Sequence, residues 1–142
     1  MTVETVAAPA PGPILENASR SSLAIIEEVF RGGMEEQYAN IVWLSECMKQ
    51  MRANHNLLLM GAAVGGVLKG QTRKSITIGS ITIETVTHLP DAVTGVMEKG
   101  ARIWVLQRDL DAFGPSAELI EGVEVAQSAA ALIAAHEKAW FW

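Results

Sequence analysis

Apolar residues in this chain fall into short unbroken runs, separated by stretches with helical spacing. Leu23-Ala24-Ile25-Ile26, Leu57-Leu58-Leu59-Met60 and Ile103-Trp104-Val105-Leu106 are such runs, the pattern of strands covered on both faces. After the first run and the break at Gly32-Gly33, Met34, Tyr38, Ile41, Leu44 and Met48 recur at steps of three and four. That spacing predicts an amphipathic helix reaching about Arg52. Asn54-His55-Asn56 has the composition of a turn, and the second run, closed by Gly61, follows it. Strand, helix and strand in that order predict a parallel crossover.

Beyond Gly61 a short helix through Leu68 is expected, weakened by Gly65-Gly66, since each glycine costs about 1 kcal/mol relative to Ala inside a helix. Ile76-Thr77-Ile78 and Ile81-Thr82-Ile83 alternate with period two around Gly79-Ser80, which predicts an antiparallel hairpin inserted into the alternating pattern. Pro90 starts a helix through Lys99, stopped by Gly100. Asp109 is read as the cap of a short turn closed by Gly114. Val123-Glu124-Val125 predicts a strand, Ala129 to His136 a helix, and Ala139-Trp140-Phe141-Trp142 a final, buried apolar strand. These elements predict a three-layer α/β domain, flavodoxin-like in class, with a mainly parallel five-stranded sheet, spanning residues 21–142. Residues 1–20, with Pro9, Pro11 and Pro13 among small residues, are expected to be a mobile tail.

The 142 residues carry 11 Lys+Arg against 16 Asp+Glu, a formal charge of −5, and 49% are hydrophobic. Such a chain supplies a core for one domain and lacks the basic stripe that a nonspecific grip on nucleic acid requires. No apolar stretch approaches the roughly 20 residues of a membrane helix, so neither nucleic acid nor membrane is an expected partner. The single Cys47 forms no internal disulfide, and no charged-then-apolar leader opens the chain; a reducing cytoplasm is the expected compartment.

Candidate chemistry is sparse. The glycines after the strands lack the spacing of a dinucleotide or P-loop motif, and close packing of the chain is their first explanation. His55, His88 and His136 stand apart without ligand spacing and are expected to be solvated, so no metal and no cofactor is expected. The adjacent pair Glu27-Glu28 points two ways and forms no carboxylate dyad. Gln107-Arg108-Asp109 directly follows a buried strand, the carboxyl-end position where open α/β sheets place their clefts. Together with Gly32, Gly33 and Gly61, these residues are the candidate ligand- or partner-binding set. Cys47 lies mid-helix, beside the apolar stripe and one turn from Trp43, which projects away from that stripe. A thiol lining a packing surface is its plain reading, and a nucleophile the alternative. A large aromatic on the outer helix face predicts an oligomer interface at Trp43 and Cys47.

The stretch Gly100-Ala101-Arg102-Ile103-Trp104-Val105-Leu106, with Asp109, Gly114, Leu119-Ile120, Gly122-Val123-Glu124-Val125, Leu132-Ile133 and Trp140-Phe141-Trp142, resembles the DsrE/DsrF/DsrH family of sulfur-relay proteins. Leu23-Ala24-Ile25-Ile26, Tyr38-Ala39 and Leu57 to Gly61 are similar to that family's opening strand, helix and strand. The resemblance implies a DsrE-like cytoplasmic domain in a homo- or hetero-oligomer, a trimer or hexamer of family subunits, whose catalytic members carry sulfur as a cysteine persulfide. The family's acceptor cysteine follows the strand that here is Ile103 to Leu106, where this chain has Gln107-Arg108-Asp109. In this half the chain resembles the DsrH-type members, some of which support rather than carry. The Ile/Thr hairpin has no clear family counterpart. Three roles follow: a supporting subunit of a sulfur-trafficking system, a sulfurtransferase using Cys47, or an oligomer binding a small ligand or anion at Gln107, Arg108 and the glycines.

Overall fold

The computed structural model describes residues 20–28, 39–85 and 87–142, with side chains omitted for residues 39–41. Residues 1–19 of the expected tail, together with Gly32, Gly33, Met34 and Tyr38, lie outside the described residues. Five strands form one parallel sheet: β1 (Ser22–Ile26), β2 (His55–Leu59), β5 (Ile103–Leu106), β6 (Glu124–Ala126) and β7 (Lys138–Phe141). β3 (Ile76–Ile78) and β4 (Ile81–Ile83) form the separate antiparallel hairpin, turning at Gly79 with φ +62°. The helices are α1 (Ala39–Gln50), α2 (Leu89–Glu98), α3 (Gln107–Asp111) and α4 (Ala129–Ala135).

The sheet order is β6-β5-β2-β1-β7, distinct from the 2-1-3-4-5 of flavodoxin. The chain moves in one direction from β1 through β2 and β5 to β6, then returns to the far side of β1 for β7. Right-handed crossovers place helices on one face during the outward run and on the other during the return. Accordingly, Val42 of α1 and Val93 and Val96 of α2 pack with Ile26, Leu57, Leu59, Ile103 and Val105, whereas Leu132 of α4 packs with Leu23, Ile25, Leu58, Trp104 and Leu106. The period-two alternation of the strands divides the two cores between these faces.

After β2 the chain enters a 3-10 helix, Gly61–Val67. A Cβ at Gly66 would meet Leu89 Cδ2 at 2.1 Å, so the glycine is what allows the start of α2 to close over this segment. This is the close packing expected of the pair.

Two expectations are corrected. The closing aromatic strand forms, but as an edge strand: Trp140, Phe141 and Trp142 stay 38%, 69% and 44% exposed, because among the described residues β7 pairs only with β1 and α4 is too short to roof it. The histidines also differ from expectation. His55 is the first residue of β2 and fully buried, its Nδ1 2.7 Å from the Ser22 hydroxyl and its Nε2 3.0 Å from that of Ser45. Both ring nitrogens are therefore satisfied without water. Burial, with Lys49 and His136 adding repulsion, lowers its pKa to about 4. His136 is buried too: its Nδ1 donates to the Leu132 carbonyl at 2.7 Å, and its Nε2 accepts from the Asn56 amide at 3.0 Å. His88, ahead of α2, is half-buried.

Candidate functional site

Parallel strands end together, so the residues that follow β1, β2 and β5 meet at one rim of the sheet. A cleft of about 390 Å³ opens there, lined by Glu27, Glu28, Met60, Gly61, Ala62, Arg108 and Asp109. Three of the expected binding residues, Gly61, Arg108 and Asp109, are thus brought together.

Asp109 does not cap a turn. It is the third residue of α3, whose N-cap position is Leu106, and its carboxylate reaches across the rim to accept the Gly61 N–H at 3.0 Å. Gly61 can present that N–H because it adopts φ +53°, a left-handed conformation that favours glycine. The other carboxylate oxygen lies 3.6 Å from Arg108 Nε. Asp109 is mostly covered, whereas the Arg108 side chain remains 73% exposed and extends over the cleft. Gln107 instead turns along its own helix, donating to Asp111 at 2.7 Å.

Glu27 and Glu28 line the cleft although their pattern pointed to no paired chemistry. The signal available was positional: they follow β1 as Met60-Gly61 follows β2. Among the described residues, they and Asp109 give the rim more negative than positive groups, and Asp109 already takes the Gly61 N–H that an anion would use. The arrangement favours a ligand that donates hydrogen bonds or carries positive charge.

Cys47 and Trp43 are elsewhere. Ser45 bonds His55 at the start of β2, so the last turns of α1 sit at the amino-terminal edge of the sheet. Half-buried Cys47 is separated from the cleft by the length of β2, roughly 15 to 20 Å at about 3.3 Å per residue. Trp43, 63% exposed, covers no part of the core. Among the described residues no group of His, Cys, Asp and Glu is placed to hold a metal ion, and no helix is long and apolar enough to cross a membrane.

No family model and no curated protein matches this chain. Among solved structures, it is similar to the crystal structure of the ychN protein from E. coli, with a TM-score of 0.66 and 17% sequence identity over 87% of this chain and 99% of that one. At that identity the likeness is one of fold: a three-layer α/β domain on a parallel five-stranded sheet, the class expected from the strand and helix pattern.

Proposed function

We propose that this chain is a supporting, DsrE-like subunit of a cytoplasmic sulfur-trafficking system, which shapes a trimer or hexamer of related subunits while another chain supplies the thiol. The location of Cys47 carries this reading. It is the one cysteine of the sequence, and it sits half-buried on α1 at the edge of the sheet opposite the cleft. The rim where family members hold their acceptor instead presents Gly61, Arg108 and Asp109. The outer face of α1, with Trp43 exposed beside Cys47, is the surface proposed to meet a neighbouring subunit.

Incubation with a polysulfide followed by intact-mass measurement tests this. The expected result is no retained sulfur, together with recovery from the source of a complex containing a thiol-bearing subunit. Uptake of one sulfur atom that Cys47→Ser abolishes would overturn it in favour of a sulfurtransferase. The cleft volume supports a second reading, a small-ligand oligomer, since about 390 Å³ lies within the usual range of ligand pockets. That reading predicts a bound small molecule in native mass spectra that Glu27→Gln releases.

A further inference from the structure

Among the described residues, the sheet leaves β7 with one side open. Lys138 and Trp142 donate their backbone N–H groups to the Ser21 and Ile25 carbonyls at 3.1 and 2.8 Å. By strand alternation, Ala139 and Phe141 turn their N–H and C=O groups away from β1. The side chains alternate across the faces. Trp140 lies on the α1 face, where its ring meets His55 at 5.7 Å, with Lys138 and Trp142 on that same face by period two and Ala139 and Phe141 on the other. All five residues are exposed. The opposite edge is protected in the ways edge strands usually are: β6 has three residues, and its Glu124 is held by Arg102 at 2.6 and 2.8 Å. β7 has Lys138 as its one charge.

We propose that a second copy of this chain pairs with β7 along this edge, antiparallel, about a two-fold axis at Trp140. The register follows from the free backbone groups. Ala139 of each copy faces Phe141 of the other as a hydrogen-bonded pair, and Trp140 faces Trp140 at the close, non-hydrogen-bonded position between them. Large then meets small on one face, Phe141 beside Ala139. On the other face the Trp140 rings meet, and Lys138 lies opposite Trp142, where an ammonium group can rest on an indole. A patch that complements itself under a two-fold is what an isologous contact requires, and this favours a second copy over an unrelated chain. The proposal stands on the strand edge alone and is independent of the sulfur-trafficking reading.

Sedimentation of the full chain tests it. The wild type is expected as an even-numbered assembly, a dimer or a hexamer rather than a trimer. Ala139→Pro, which deletes an outward N–H and leaves the β1 ladder intact, and Phe141→Lys should each halve its mass with an unchanged circular dichroism spectrum. In a Cys47→Ser background, Ala139→Cys combined with Phe141→Cys should oxidise to a covalent dimer, since hydrogen-bonded pairs place Cα atoms about 5.5 Å apart, within disulfide reach. Ala139→Cys alone should not. A monomeric wild type, a mass that both edge substitutions leave unchanged, or a double-cysteine protein that fails to cross-link would each overturn the proposal.

Discussion

Acidification should weaken this fold through one ring. Folding removes His55 from water between two serine hydroxyls and lowers its pKa to about 4 by burial, with Lys49 and His136 contributing. The unfolded chain, with an ordinary value near 6.5, therefore binds the proton more readily than the native state between those limits. The stability linked to this group is fully present above about pH 6.5, falls as pH drops, and stops falling below about pH 4. At about 1.4 kcal/mol per pH unit the whole window is worth about 3 kcal/mol. About 2 kcal/mol of that should be gone by pH 5. His55→Gln keeps a polar side chain but cannot titrate, so it should be less stable than wild type at pH 7.5 and should lose less on acidification. Urea unfolding of both proteins at pH 7.5, 6 and 5, followed by Trp fluorescence, measures the difference while the carboxylates cancel. Parallel pH dependences for the two proteins would refute the buried, neutral ring.

Leu132→Ala should cost about 2 to 5 kcal/mol in chemical denaturation, because that side chain is the fully buried anchor of α4 on its face of the sheet. Gly66→Ala should lower stability by about 1 to 3 kcal/mol, since the new methyl overlaps Leu89; Leu89→Ala in the same chain should relieve part of the loss. Asp109→Ala should cost about 1 kcal/mol and speed amide exchange at Gly61, whose N–H loses its acceptor. Trp43→Glu should leave the unfolding midpoint of the isolated chain unchanged, as its ring is largely exposed, and reduce the mass of any assembly built on α1.

The strands were legible because β1, β2 and β5 lie inside the sheet, where both faces demand apolar side chains and the runs are unbroken. The hairpin was legible from its own turn. β7 shows the limit of this signal: an edge strand rich in aromatics reads the same as a central one, since its place is set by the return crossover. The site was half visible. Arg108, Asp109 and Gly61 could be placed at strand ends, but the role of Asp109 depends on a partner 48 positions away. His55 was hidden similarly. Its flanking asparagines suggest a turn, and the hydroxyls that make burial tolerable come from positions 22 and 45.

The two coverings of the sheet are unequal. Among the described residues, α1, α2 and the 3-10 segment bring seven buried apolar side chains to one side of the sheet, while the seven-residue α4 brings Leu132 alone to the other. A laminate so lopsided should come apart in sequence. Deuterium would enter α4 and β7 by opening events that leave the remainder standing, reach β6 next, and penetrate the amides shared by β1 and β2 only when the whole domain gives way.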